Sequence, residues 1–183
     1  MKEIEVKILE VNVTNLEKKL FSLNANLVFS DVLEAVYFNL PSNFPNAQNM
    51  TIRIRKEGNI NVLTLKTAKE QVDNIKIREE IETEFENFEN LYKILTTLGL
   101  TERLHIKKYR KIYELNNEVK FMIDIHLDDL SYIPPLLEIE VKDVSLIEKY
   151  VQLLDFNMEQ CCNFNVFELI NYYSTKIHKE KDI

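Results

Sequence analysis

The sequence predicts an α+β fold, mainly β: eight antiparallel strands closed into a barrel, with helices flanking it. Three observations lead there. Eight segments alternate apolar and polar residues with period two, the mark of a strand with two unlike faces. Four further segments carry apolar residues at helical spacing and need an apolar surface to cover. The polar strand faces are dense in full charges at i and i+2, where an ordinary solvated face mixes in Ser, Thr, Asn and Gln.

The strands are expected over residues 2–9, 28–39, 50–56, 60–67, 74–85, 103–115, 119–128 and 136–142. Residues 41–49 and the pair Pro134-Pro135 separate strands, and Glu57-Gly58-Asn59 and Asn116-Asn117 are short enough to close hairpins. A first helix follows the capping box Thr14-Asn15-Leu16-Glu17, with Leu16, Leu20 and Leu23 on one face. A second carries Phe88, Leu91, Leu95 and Leu98 and stops at Gly99. A third follows Ser145-Leu146-Ile147-Glu148, and the last is expected over 166–177 with Asn165 or Asn163 as its cap. Residues 1–175 read as a single domain and 176–183 as a flexible tail.

Composition narrows the function. The chain has 183 residues, 45% hydrophobic and 29% charged, which suits one globular domain. No run reaches the roughly 18 apolar residues of a membrane span. The opening Met1-Lys2-Glu3-Ile4-Glu5 lacks a signal-peptide core, so the cytoplasm is the expected compartment. Cys161 and Cys162, the only cysteines, build neither a disulfide framework nor a zinc site. Gly58 and Gly99, the only glycines, cannot form a dinucleotide fingerprint or a phosphate loop. A net charge of −7 argues against nucleic acid as a partner.

The charges have a shared direction. Glu3, Glu5 and Lys7 lie on one strand face, as do Arg53 and Arg55, Thr64 and Lys66, Arg78, Glu80 and Glu82, and Lys108 and Arg110. Asp124, His126 and Asp128 share another, and Glu138 and Glu140 the last. If helices cover the apolar faces from outside, these charges turn inward. Eight strands close a barrel wide enough for one small ligand. Carboxylates there call for a divalent metal and Arg and Lys for phosphates; together they call for a metal–polyphosphate ligand.

At this point the motifs resemble a known family. Glu3-Ile4-Glu5-Val6-Lys7 is similar to the ExExK signature of CYTH domains, the triphosphate tunnel metalloenzymes, which include class IV adenylyl cyclases, thiamine triphosphatases and inorganic triphosphatases. Arg53-Ile54-Arg55 resembles the family's RxR, Lys66 its next lysine, and Arg78-Glu79-Glu80-Ile81-Glu82 its RxExE strand. Lys108-Tyr109-Arg110 resembles its KxR, and Glu138-Ile139-Glu140 its closing EIE, preceded by an aspartate that is either Asp124 or Asp128. Tyr132-Ile133-Pro134-Pro135 departs from the family's glycine-containing turn.

The resemblance implies a triphosphate tunnel working with Mg²⁺ or Mn²⁺. Glu3, Glu5, Asp128, Glu138 and Glu140 are the implied metal set. Arg53, Arg55, Lys66, Arg78, Lys108 and Arg110 are the implied phosphate contacts, with Lys7, Glu5 and Glu138 nearest the chemistry. Neutralising Glu3 or Glu5 is expected to leave the fold intact, even to stabilise it, by removing repulsion among carboxylates. The expected reaction is hydrolysis of a phosphoanhydride, inorganic or organic. The alternatives are cyclisation of ATP to cyclic AMP and pyrophosphate, or a non-catalytic triphosphate- or polyphosphate-binding module. The partner is then a small triphosphate, with neither nucleic acid nor membrane, and the chain a monomer or homodimer.

Overall fold

The computed structural model describes residues 2–45, 47–72 and 74–181, and the side chains of all but 48, 68–72 and 178–181. In chain order the elements are β1 (Lys2–Ile8), α1 (Val13–Ser22), β2 (Asn26–Asn39), β3 (Thr51–Glu57), β4 (Ile60–Val72), β5 (Ile75–Phe85) and α2 (Phe88–Thr97). There follow β6 (Thr101–Leu115), β7 (Val119–His126), β8 (Leu136–Val141), α3 (Ile147–Leu153), β9 (Cys161–Cys162) and α4 (Val166–Lys181).

Eight strands close a barrel. The hydrogen-bonded order is β5-β4-β3-β2-β6-β7-β8-β1, and β1 pairs back onto β5, all antiparallel. The first half of β1 pairs with β5 (Glu3 opposite Arg78, Glu5 opposite Lys76) and the second half with β8 (Lys7 opposite Glu138). A ninth, two-residue strand, unexpected from the sequence, pairs beside Lys7 and Ile8. It occupies the edge of β1 left open where β5 diverges.

The outer faces are apolar and covered. Leu16 and Leu20 of α1, with Ile147, Tyr150 and Val151 of α3, pack on Ile4, Val6, Phe121, Ile123, Leu137 and Ile139. Phe88, Leu91 and Leu95 of α2 pack on Val36, Phe38 and Ile54. Leu169 and Tyr173 of α4 pack on Ile133 and Leu136. Where these apolar strand sides turn outward under the helices, the period-two pattern leaves the charged side facing the lumen, although Leu33, Tyr37, Ile106 and Met122 also face it. Among the described residues no helix is long and apolar enough to cross a membrane.

Local chemistry sets the element ends, and in places differently from expectation. Asn12, not Thr14, caps α1: its side chain accepts from the Asn15 N–H at 3.0 Å. Asp143, not Ser145, receives the Ser145 N–H at 2.9 Å, and a short 3₁₀ turn then precedes α3. Asn165 caps α4 as expected, accepting from the Phe167 and Glu168 N–H groups, while Glu168 accepts in return from the Asn165 N–H at 2.6 Å. Asn116 and Asn117 both take φ 55°, the left-handed pair that a tight hairpin requires. The last helix does not stop at 177. No breaker follows, so α4 continues to Lys181 through the segment expected as a tail, and Lys176 bonds Glu10 at 2.8 Å. Residues 182 and 183 lie outside the described residues.

Candidate functional site

The barrel encloses a cavity of about 1030 Å³. Among the described residues ten basic and nine acidic side chains line it, so a chain of net charge −7 carries a nearly balanced lumen there. Glu5, Lys7, Lys66, Lys76, Glu80, Asp124, His126 and Glu138 are buried there. Buried charges persist only when paired, and the pairing is dense.

Acids concentrate on the adjoining strands β1 and β8, as Glu3, Glu5, Glu138 and Glu140. Lys7 Nζ lies 2.6 Å from Glu5 Oε1 and 3.3 Å from Glu138 Oε1. Lys76 Nζ bridges Glu3 Oε2 at 2.8 Å and Glu5 Oε1 at 2.6 Å. Burial opposes ionisation of Glu3, but Lys66 and Lys76 outweigh it and hold its carboxyl far below the ordinary range. Burial likewise opposes ionisation of Glu138, and Lys7 and Arg110 overcome it. Glu140 goes the other way. Burial pushes it up, Lys120 opposes, and the carboxylates of Glu3, Glu5 and Glu138 add to the rise, which reaches about 7.

Cations concentrate on β3, β4 and β6. Arg110 grips Asp124 with Nε and Nη2, each at 2.6 Å, and reaches Glu138 Oε2 at 2.7 Å. Lys108 also bonds Asp124. Arg53 Nη2 donates to Thr64 Oγ1 at 3.2 Å, and its Nε is buried with no hydrogen-bond partner among the described residues. Lys66 bonds Glu80, and also Glu3 at 3.2 Å. Burial raises the Tyr37 phenol, but Arg53, Lys108 and Lys66 together pull it below its ordinary value. A phenol pulled toward its anion marks a place where the lumen favours negative charge. His126 Nδ1 is buried without a partner among the described residues; burial and Lys108 push its imidazole down to about 4, so the ring is neutral at neutral pH.

The structure brings Glu3, Glu5, Lys7, Arg53, Arg55, Lys66, Arg78, Lys108, Arg110, Glu138 and Glu140 to one lumen. It excludes Asp128. β7 ends at His126, the Leu127 N–H turns to the Lys107 carbonyl, and Asp128 takes φ 51° in an exposed 3₁₀ turn. The alternation that placed Asp128 with Asp124 therefore stops one step short, and Asp124 is the aspartate of the lumen. Two assigned arginines are already engaged. Arg78 bonds the Thr67 and Lys66 carbonyls at the register shift of β4, and Arg55 holds Glu57 at 3.1 Å and Glu82 at 2.9 Å. Lys76, Lys120, Glu57 and Tyr37 also line the cavity and were not singled out from the sequence. For the first two the signal was present: Lys76 has the parity of Arg78, and Lys120 that of Asp124.

One mouth is apolar. Leu33, Ala35, Tyr37 and Ile106 form a cluster there with Val166 and Phe167, at the start of α4. The Phe167 ring meets Tyr37 edge-on at 5.6 Å, and the Arg103 guanidinium lies 3.5 Å over the Phe167 ring centre.

A closed antiparallel barrel with a lumen of paired acids and cations defines a class of charged-tunnel proteins. Residues 1–157 match the CYTH domain family, and the chain belongs to it. A protein of Methanocaldococcus jannaschii, described provisionally as an adenylate cyclase, is 30% identical over 160 residues, 87% of each chain. A solved Pyrococcus horikoshii structure superposes with a TM-score of 0.76 at 27% identity, covering 91% of this chain and 98% of that one. A Hippeastrum protein, described provisionally as an adenylyl cyclase with a dominant triphosphatase activity, shares the fold with a TM-score of 0.57 at 13% identity, over 84% of this chain and 88% of that one. Family members are in general metal-dependent enzymes acting on triphosphates.

The residues fit a divalent cation on two counts. Glu3 and Glu5 already converge on one cationic position, filled by the Lys76 ammonium. Glu140, crowded by three carboxylates, marks surplus negative charge beside it. All are oxygen donors of the kind that Mg²⁺ and Mn²⁺ take. Among the described residues no three such side chains stand ready-made as a cage, which accords with lysines holding these carboxylates.

Proposed function

We propose that the protein hydrolyses a phosphoanhydride bond of a triphosphate held in the barrel lumen together with Mg²⁺ or Mn²⁺. The observation that carries this reading is one lumen that holds both a carboxylate group on the adjoining strands β1 and β8 (Glu3, Glu5, Glu138, Glu140) and the cations Arg53, Lys66, Lys108 and Arg110 on β3, β4 and β6. A phosphate chain between the two walls meets cations on one side and acids that hold its metal on the other. Arg53, Lys66, Lys108 and Arg110 bind the phosphates, and Glu3, Glu5, Glu138 and Glu140 hold the cation. When bound, that cation neutralises phosphate oxygens and helps activate the attacking water. Lys7, hydrogen-bonded to Glu5 and 3.3 Å from Glu138, orients these two carboxylates. Phosphoryl transfer asks for little beyond such positioning and charge stabilisation.

Cyclisation is the second reading, favoured by the name of the archaeal relative. It requires a fixed base and ribose so that the 3′-oxygen lines up with the α-phosphorus. The apolar mouth is the natural seat for a base, and Phe167, packed between Tyr37 and Arg103, fills it. That packing supports hydrolysis. The test is product analysis with Mg²⁺ or Mn²⁺ against tripolyphosphate, ATP and thiamine triphosphate. Release of phosphate is expected; cyclic AMP as the main product from ATP replaces hydrolysis by cyclisation, and no turnover of any of the three leaves a binding module.

A further inference from the structure

We infer that Lys76 is an internal counter-cation: its ammonium reserves the Glu3–Glu5 carboxylate pair, and a divalent cation enters by displacing it. The inference rests on the metal-dependent reading above and adds to it a residue that the reading does not use.

The geometry is specific to this lysine. Lys76 lies directly across the β1–β5 ladder from Glu5. Glu3 and Glu5, two residues apart on one strand, turn the same way, and Lys76 Nζ reaches an oxygen of each, at 2.8 and 2.6 Å. Among the described residues the other lysines nearby do not bridge them. Lys7 touches Glu5 and Glu138, and Lys66 touches Glu3 and Glu80. Lys76 and Glu5 are 4% and 3% exposed, so water does little of the neutralising. Burial works against the charge on Lys76, yet Glu5 and Glu3 keep it above its ordinary value, so the ammonium stays charged while it holds the pair.

A metal ion bound by the same oxygens at roughly 2.0–2.6 Å takes the space of the ammonium and repels it. The two cations are therefore alternatives. The metal's apparent affinity is its intrinsic affinity multiplied by the fraction of molecules in which the lysine is away. Once displaced, the ammonium offers three donors beside the phosphate wall. The same side chain thus guards the acids when the lumen holds no metal and serves the triphosphate when it does.

The test is Mn²⁺ titration of the phosphate-free protein, with free Mn²⁺ read by electron paramagnetic resonance. Lys76→Met and Lys76→Gln are expected to bind Mn²⁺ about tenfold or more tighter than wild type, if the lysine holds the pair some nine-tenths of the time. Lys120→Met removes one charge from the same lumen without touching the pair, and is expected to change affinity much less. Glu140→Gln takes a carboxylate from the set and weakens binding. Equal affinity in Lys76→Met and wild type overturns the inference. So does equal tightening in Lys120→Met, which would make the effect one of overall charge. If Glu140→Gln weakens binding while Lys76→Met leaves it unchanged, the lysine role fails and the metal reading stands. If neither wild type nor Lys76→Met binds Mn²⁺, both fail. A measurement on the wild type covers the case in which both Lys76 variants misfold. The Lys76 ammonium is expected to show an NMR signal protected from hydrogen exchange that loses protection on saturation with Mg²⁺; protection unchanged by Mg²⁺ overturns the inference.

Discussion

Replacing Glu140 with Gln reads directly how crowded the acidic wall is. The unfolded chain releases the Glu140 proton near 4.5, whereas the folded protein holds it to about 7. Across that window the folded state binds more protons, so stability falls as pH rises through it. The gap of about 2.5 units, at about 1.36 kcal/mol each, gives ~3 kcal/mol. This is an upper bound, because Glu140 is partly exposed and solvent screens it. Other groups act elsewhere or cancel. Glu3, Asp124 and Glu138 sit below their ordinary values, and the stability they contribute is lost as pH falls through those depressed values. His126, lowered from 6.5 to about 4, removes stability as pH falls between the two, in wild type and variant alike. Urea unfolding of metal-free wild type and Glu140→Gln at pH 5 and pH 8 isolates the residue. The variant should gain on the wild type between the two pH values by most of the ~3 kcal/mol, because an amide has no charge to bury. A difference between the two proteins that is the same at both pH values would refute the crowding of Glu140 by Glu3, Glu5 and Glu138.

Two further outcomes follow from the ion-pair map. Glu5 accepts from both Lys7 and Lys76 at 2.6 Å, so Glu5→Gln leaves two buried ammoniums facing one amide. Its unfolding free energy should fall by roughly 3–5 kcal/mol in urea titrations, reversing the sequence-level expectation that relief of repulsion stabilises the fold. A variant as stable as wild type would mean that these pairs do not hold in solution. Arg53→Ala should weaken tripolyphosphate binding by roughly 1.5–3 kcal/mol in calorimetry, the worth of a charge-assisted hydrogen bond. Lys18→Ala on the exposed side of α1 is the control and should leave affinity unchanged.

The barrel was legible because period two survives whatever covers a strand. In 137–141 the apolar Leu137, Ile139 and Val141 and the acidic Glu138 and Glu140 separate cleanly, and the same holds on β1, β3 and β7. The inward direction of the charges followed from counting helices that need an apolar partner. What the pattern could not give were the points where alternation ends. Asp128 shares parity with Asp124, and only a backbone turn at φ 51° separates their fates. Nor does helical spacing tell a helix packed wholly outside the barrel from one whose first turn enters its mouth. Phe167 reads as an ordinary apolar position, yet it meets Tyr37 inside the lumen. The caps slipped for a related reason. Asn and Asp compete with Ser and Thr for the same N–H groups, and Asn12 and Asp143 each stood two residues upstream.

The balance of the lumen constrains what can enter it. The central wall charges are already paired: Arg110 holds Asp124 and Glu138, Lys66 holds Glu3 and Glu80, and Lys76 holds Glu3 and Glu5. A free triphosphate that recruits these cations strands the carboxylates they leave, in a site where an unpaired charge is costly. A free divalent cation that recruits the carboxylates strands the lysines. A metal–triphosphate pair gives each released group a new partner at once, so the two ligands favour each other's binding through the ion pairs that both must break. The acidic excess of the chain lies outside the lumen, where it disfavours long polyanions on the surface. On the proposed function, selectivity for a short, metal-bound polyanion thus arises from the mutual neutralisation of the walls, with Lys76 as the group that the metal must move first.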